Sequence, residues 1–259
     1  MADSGSPTTL ELQGVSKFFG GVRAVDDLSF ALGTNEILGL IGPNGSGKST
    51  TVNLISGTLP LTAGSIRLDG KPIEMEPEHG RAALGLARTF QTAALFPGFT
   101  ALEQMLLGGH VQTRIRGVGS ILRSQSARAE EARQIKSAHE LLSFVGLAGM
   151  ADAPVENLSS AQQRLLMIGS ALAAQPRALL LDEPAAGMVA AERKALGDLI
   201  LAIKARGISV LVIEHHMALI MNVCDRIVVL NFGRKIAEGP PEQIRADPKV
   251  IDAYLGASH

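Results

Sequence analysis

The apolar positions of this chain fall into two kinds of pattern. "LELQGV" (10–15), "LSFAL" (28–32) and "SIRLDG" (65–70) alternate apolar with polar residues and carry Gly or Asn near their ends, which predicts antiparallel strands. "EILGLIG" (36–42) is nearly continuous in its apolar residues, as in a strand covered on both faces. "ALLLD" (178–182), "ISVLVIE" (208–214), "RIVVLN" (226–231) and "RKIAEG" (234–239) are further strand-sized runs. Helical stretches separate them. "GKSTTVNLISG" ends at Gly57, a second runs from "NLSSAQQR" (157–164) to about Ala174, and others are expected near 190–206 and 216–223. Buried strands alternating with helices imply a parallel α/β sheet.

Residues 92–157 break this rhythm. They offer no comparable strand, and Leu102, Met105 and Leu106 recur at turn spacing, so an inserted helical lobe is expected there. Inside it, "RIRGVGSILRSQSARAEEARQIK" (114–136) mixes charge with Gly and Ser and reads as a loop and a solvated helix face. The first nine residues read as a flexible tail. The expected organisation is one domain over 1–259. Residues 1–91 and 158–239 would form an α/β core with an antiparallel β portion, 92–157 the helical lobe, and 240–259 a helical tail.

Composition narrows the class. With 46% hydrophobic and 19% charged residues the chain is globular, and its net charge of −1 gives no electrostatic case for a nucleic-acid partner. Cys224 is alone, so no internal disulfide can form; a reducing compartment and a small buried side chain are expected. No apolar run approaches the ~18 residues that span a bilayer. "MADSGSPTT" has no basic stretch followed by an apolar one, so it does not read as a secretion signal. The expectation is a soluble, cytosolic chain that would be held at a membrane only by protein.

Three segments carry candidate chemistry. "GPNGSGKST", Gly42 to Thr50, matches G-x-x-x-x-G-K-[ST] between a predicted strand and a predicted helix. Gly42, Gly45 and Gly47 let the backbone amides converge on phosphate oxygens, and the helix beginning near Gly47 adds its positive end. Lys48 would reach the β- and γ-phosphates, and the Ser49 hydroxyl would ligate Mg²⁺. "ALLLDEP" places Asp182 and Glu183 at the carboxyl end of a buried strand, the end that faces the ligand crevice in open α/β sheets. Asp182 would hold Mg²⁺ and Glu183 would polarise an attacking water. "ISVLVIE" leads to "HHM", where an imidazole could contact the γ-phosphate from the same rim. "NLSSAQQR" fits the S-x-x-Q capping box in two registers, Ser159 with Gln162 or Ser160 with Gln163.

These motifs, in this order, resemble the ATP-binding subunits of ABC transporters, over nearly the whole chain. "ARTFQ" (87–91), "DEPAAG" (182–187), "IEHHM" (213–217), "DRIVVLNFGRKIAEG" (225–239) and "VIDAYLG" (250–256) look like the branched-chain amino acid uptake group. The resemblance implies a P-loop, RecA-like core that binds and hydrolyses ATP with Mg²⁺ at the cytoplasmic face of a bacterial inner membrane. It implies Phe19 as the ring that stacks on adenine and Pro43, Asn44, Ser46 and Thr50 as parts of the ATP loop. Gln91 would sense Mg²⁺ and the attacking water, and His215 rather than His216 would be the switch histidine. "QTAALFPGFTALEQM" (91–105) would line the groove for a cytoplasmic helix of the membrane subunit. Leu158 to Gln162 would correspond to the signature that caps ATP held by the opposite subunit, through Ser159, Ser160, Ala161 and Gln162. The partners implied are a second ATPase subunit, like or unlike, two transmembrane permease subunits, and indirectly an extracytoplasmic binding protein.

The chain departs from the family pattern in two places, the signature, whose first glycine position often varies, and the loop after "AAGM". Ser160 and Ala161 stand where it has two glycines, and Val189 stands where it has Asp or Asn. A Cβ at 161 would crowd phosphate or forbid a positive φ. These departures leave open a regulatory or assembly module with little turnover. Amides or urea are alternative cargoes. A soluble ABC protein acting on ribosomes or DNA fits less well, because that group carries two ATPase halves or a long coiled coil.

Overall fold

The computed structural model describes residues 7–89, 95–116 and 125–255. Its strands are β1 (Thr8–Phe19), β2 (Val22–Gly33), β3 (Ile37–Ile41), β4 (Ala63–Leu68), β5 (Lys71–Pro72), β6 (Leu86–Thr89), β7 (Ala178–Asp182), β8 (Ser209–Ile213), β9 (Arg226–Asn231) and β10 (Arg234–Gly239). The α-helices are α1 (Lys48–Ser56), α2 (Glu78–Ala83), α3 (Ala101–Arg116), α4 (Gln125–Phe144), α5 (Ser160–Ala173), α6 (Ala190–Ala205), α7 (Met217–Val223), α8 (Pro241–Ala246) and α9 (Pro248–Leu255).

Two sheets stack with α1 between them and further helices behind. The antiparallel sheet has the order β2-β1-β4-β5, with Leu12 opposite Phe30 on one side and Ile66 on the other. The larger sheet has the order β10-β9-β3-β8-β7-β6, and all its neighbours run parallel except β10. Every residue of β3, β7 and β8 is buried, which is why those runs are apolar throughout. Alternate side chains serve different layers. Ile37, Ile41, Leu179, Leu181, Val210 and Val212 pack toward α5, α6 and α7. Leu38, Leu40, Leu180, Leu211 and Ile213 pack toward α1 and the antiparallel sheet. Each fully buried aliphatic side chain is worth about 1.5–3 kcal/mol, so both faces contribute to fixing this register.

Three expectations are corrected. The antiparallel β portion begins at Thr8, inside the segment read as a tail, and Thr9 Oγ1 lies 2.9 Å from Ser209 Oγ in the other sheet. β10 joins the large sheet antiparallel, because only Phe232 and Gly233 separate it from β9 and so short a loop can only reverse the chain. Three elements went unread: β5, which has only two residues, α2, which is short and carries Gly80, and β6, whose four residues include an arginine.

Between β6 and α5 the chain forms α3 and α4, with one isolated bridge from Thr100 to Pro154. Helix α3 crosses α5 closely: a Cβ on Gly108 would lie 2.2 Å from the Ser170 carbonyl oxygen. Ala101 and Met105 are fully buried here and line no surface. From the stretch 91–105 Gln104 lines the neighbouring groove, with Leu86, Ala87, Leu107, Met167 and Ala171, and 91–94 lie outside the described residues. Among the described residues no helix is long and apolar enough to cross a membrane.

Candidate functional site

Because β3, β8, β7 and β6 are parallel neighbours, the loops after them emerge along one edge. The phosphate loop follows β3, Glu214 and His215 follow β8, and Asp182 and Glu183 close β7. Segments far apart in sequence meet there because the sheet order is 3-8-7-6.

The loop from Gly42 to Gly47 holds a shape that side chains would spoil. Gly42 has φ 153°, and a Cβ there would lie 2.2 Å from the Leu230 carbonyl oxygen. Gly47 caps α1 with φ 102°, and a Cβ on it would lie 2.5 Å from the Ala24 carbonyl oxygen. The Ser46 amide donates to the Pro43 carbonyl (3.1 Å), and the Gly233 amide donates to the Ser46 carbonyl (3.0 Å). The loop is therefore gripped from outside by the β9–β10 turn and β2. The N-terminal amides of α1 open into a cleft lined by Asn44 to Thr50, Glu183, Val22 to Ala24 and Phe232.

Lys48 Nζ folds back over the loop, donating to the Gly42 (2.7 Å) and Pro43 (2.9 Å) carbonyls. Burial pushes its pKa below the usual lysine value, while the Glu183 and Asp182 carboxylates pull it back up. A half-buried cation beside two carboxylates and a row of free amides is suited to a polyanion.

Asp182 is buried. Its Oδ2 accepts from Arg88 at 2.8 Å, and its Oδ1 has no hydrogen-bond partner. An unpaired buried carboxylate oxygen is costly unless something fills its lone pairs. This carboxylate and the Ser49 hydroxyl at the start of α1 are hard-oxygen donors of the type that suits Mg²⁺. Glu183 has φ 48°, a conformation non-glycine residues seldom adopt. It is held there by its amide, which donates to the Ile213 carbonyl (2.9 Å), and by its carbonyl, which accepts from Arg164 (3.2 Å). Strain of this kind gathers at functional sites.

Glu214, buried, joins the two neighbouring loops. Its Oε1 accepts from the Ala185 amide (2.7 Å), and Oε2 accepts from the amides of His215 (3.0 Å) and His216 (3.2 Å). The His216 ring also lies against that oxygen, Nδ1 at 3.2 Å. The His215 side chain is 55% exposed against 30% for His216, so the ring at 215 is the freer of the two to face a ligand.

Of the remaining expected residues, Phe19 is half-exposed at the end of β1, paired with Val22 of the cleft wall, and its ring has Lys17 Nζ 5.1 Å from the centroid. Gln91 lies outside the described residues. The capping box takes the first register: Ser159 caps α5, the Gln162 amide donates to Ser159 Oγ (3.3 Å), and the Ser159 amide donates to Gln162 Oε1 (2.8 Å). Gln163 turns inward to the Val155 and Leu158 carbonyls instead. Neither Ser160 nor Ala161 has a positive φ, so α5 begins without need of glycine.

Sequence reasoning missed Phe232, Arg88 and Glu214. Phe232 is 84% exposed with φ 44°, and its signal was the tight turn "NFG". Arg88 lay within a quoted motif, but its contacts are visible only in space.

The architecture and this edge define a P-loop nucleotide-binding protein. A family model described as "ABC transporter" matches residues 25–186, and one described as "Branched-chain amino acid ATP-binding cassette transporter" matches 234–259. The high-affinity branched-chain amino acid transport ATP-binding protein BraF of Pseudomonas aeruginosa is 39% identical, over 95% of this chain and 97% of its own length. LivG of Escherichia coli, of the same description, is 38% identical over 97% and 99%. The ADP conformation of MJ1267, an ATP-binding cassette of an ABC transporter, superposes with TM-score 0.83 at 30% identity, covering 96% of this chain and 99% of that one. A nucleotide-free ATP-binding cassette from an ABC transporter gives 0.81 at 29% identity, covering 95% and 98%. The chain belongs to the ABC transporter family, as an ATP-binding cassette of the kind that hydrolyses ATP to drive transport.

Proposed function

We propose that this chain is the ATP-hydrolysing subunit of an importer for branched-chain amino acids, working with a second cassette and a pair of transmembrane subunits on the cytoplasmic side of the membrane. The observation that supports it most is the shared edge of β3, β8 and β7. There Lys48, Asp182 with its unpartnered oxygen, Glu183 and the exposed His215 ring stand around an open phosphate loop.

In this reading the loop amides and Lys48 bind the triphosphate, with Lys48 exchanging its two carbonyl partners for phosphate oxygens. Ser49 and Asp182 would hold Mg²⁺, which neutralises charge on the β- and γ-phosphates when bound. Glu183 accepts a proton from the attacking water, and His215 holds that water or the γ-phosphate in line. Phe19 stacks on the adenine and Gln91 reports to the water and the metal. Leu158 to Gln162 caps the nucleotide of the opposite subunit with the first turn of α5. The groove of Leu86, Gln104, Leu107 and Met167 receives a helix of the membrane subunit. The cargo rests on the names of the relatives and on the match at 234–259.

A second reading concerns the site this chain completes for its partner. Val189 is 62% exposed at the N-cap of α6, and Ala161 lies in the first turn of α5, so both departures stand at helix starts. That site would turn over more slowly than the one built on this chain's own loop. Reconstitution with branched-chain amino acid permease subunits and a binding protein from the same organism tests the main reading. ATP-dependent uptake of leucine, lost in Glu183→Gln, is expected; nucleotide binding without any uptake would favour the regulatory alternative.

A further inference from the structure

The guanidinium of Arg88 joins Asp182, one expected magnesium ligand, to α1, the helix that carries the other, Ser49. One nitrogen, NH2, donates to Asp182 Oδ2 at 2.8 Å. The other, NH1, donates to Asn53 Oδ1 at 2.8 Å and to Ser56 Oγ at 3.0 Å, both on α1. The pair is shielded, with side-chain exposures of 11% for Arg88 and 2% for Asp182. Asn53 is one helical turn beyond Ser49 and on the same face. A single planar fork thus connects the helix that carries one hard-oxygen donor to the strand that carries the other.

We infer that Arg88 is the positioning residue of the metal site: it orients the Asp182 carboxylate and sets its spacing from Ser49. Three observations carry this. Arg88 engages Asp182 Oδ2, while Oδ1 is buried without a partner and stands as the oxygen free to bind. The contacts to Asn53 and Ser56 fix the other end of the guanidinium, so the carboxylate cannot rotate without breaking bonds to α1. And the planar geometry of Arg matters; an ammonium could neutralise Asp182 but could not span both groups. Salt bridges of this burial add little net stability, so a structural purpose alone explains the arrangement poorly.

The inference rests on the reading of Asp182 and Ser49 as metal donors. Its test separates metal from nucleotide. Binding of a non-hydrolysable ATP analogue is measured by calorimetry with excess Mg²⁺ and again in EDTA, for the full chain and for Arg88→Met, Arg88→Lys and Asn53→Ala. Loss of such an outer partner typically weakens metal affinity roughly 10- to 100-fold. Arg88→Met should therefore lose most of the Mg²⁺-dependent gain in affinity and keep its EDTA affinity within about twofold. Mn²⁺ bound beside the nucleotide, read by electron paramagnetic resonance, should weaken in step. Arg88→Lys and Asn53→Ala should show the same selectivity to a smaller degree, and they carry the test if Arg88→Met fails to fold. Equal losses with and without the metal, or an unchanged Mg²⁺ gain, would overturn the inference. A wild-type chain that binds no nucleotide in either condition would instead overturn the proposed function.

Discussion

Two stretches that face nucleotide in the proposed mechanism are built on opposite plans. The phosphate loop and the ends of β7 and β8 are finished within this chain. Gly42 and Gly47 are pressed against carbonyls, Ser46 is bonded to Gly233, Glu183 is held at φ 48°, and Asp182 is tied to Arg88. The segment from Leu158 to Gln162, with Val189, is by contrast only a pair of helix starts. Its polar side chains satisfy the orphan amides of α5, while Leu158 and Ala161 anchor it on the core beneath. A site completed internally constrains backbone and side chains at every step. The fold of the α5 start needs only a good cap, and so accommodates Ser160 and Ala161 in the helix.

The sharpest way to break this contrast is to disable the finished half. Glu183→Gln removes the proposed general base and should lower turnover by about 10²–10⁴-fold, with nucleotide binding retained. Lys48→Ala should cost about 10²–10³-fold in turnover and weaken binding as well, since that cation would meet phosphate in both ground and transition states. Single-turnover assays with filter-binding controls separate the two. Retained turnover in Glu183→Gln would remove the residue from the base role.

Next in size come the glycines of the loop. Gly42→Ala places a Cβ 2.2 Å from the Leu230 carbonyl oxygen. Rearrangement to relieve that contact should cost about 1–3 kcal/mol of stability. Gly45→Ala, where nothing lies within 4 Å, should cost less, since only the left-handed φ of 79° opposes it. Denaturant midpoints of the two variants check the order. If they fall together, the loop is not gripped from outside as described.

That difference in construction also decides what could be read beforehand. Continuous apolar runs such as "ALLLD" declare their burial because no other composition suits a strand covered twice. That Gly42, Gly45, Gly47, Lys48, Asp182 and Glu183 stand at one edge of the sheet was legible because their local sequence dictates a strand end and a tight loop. Arg88 was not, because Asn53, Ser56 and Asp182 come together only when α1 lies over β6 and β7. Phe232 was not legible either, since its place against the cleft depends on β2 folding across from 200 residues away. The capping box left two registers open, and tertiary contacts closed them: Gln163 is drawn to the Val155 and Leu158 carbonyls, which leaves Gln162 to face Ser159.

Smaller effects probe the open half. Ser159→Ala removes the side-chain cap of α5 and should lower stability by about 1 kcal/mol. Affinity for nucleotide at this chain's own loop should stay unchanged, because no contact in the structure joins Ser159 to it. Thermal melts with and without MgATP would show this as a parallel downward shift. A ligand-dependent difference between the melts would mean that the two halves communicate within one chain.

The smallest expected effect sharpens the comparison most. Ala161 has an ordinary helical backbone, so the older objection that its Cβ forbids the required φ does not hold in this structure. What remains is crowding at the phosphate of the opposite subunit. Ala161→Gly should therefore relieve the crowding while weakening α5 by about 0.5–1 kcal/mol, the usual cost of glycine in a helix. The net expectation is a rise of about threefold in turnover at the partner's site, or roughly 0.7 kcal/mol in barrier. The measurement needs this chain's own site silenced by Glu183→Gln, so that hydrolysis in the assembled pair reports only the site roofed by Ala161. A fall in rate, following the loss of helix stability, would show that the first turn of α5 contributes by its rigidity and that the methyl group is no obstacle.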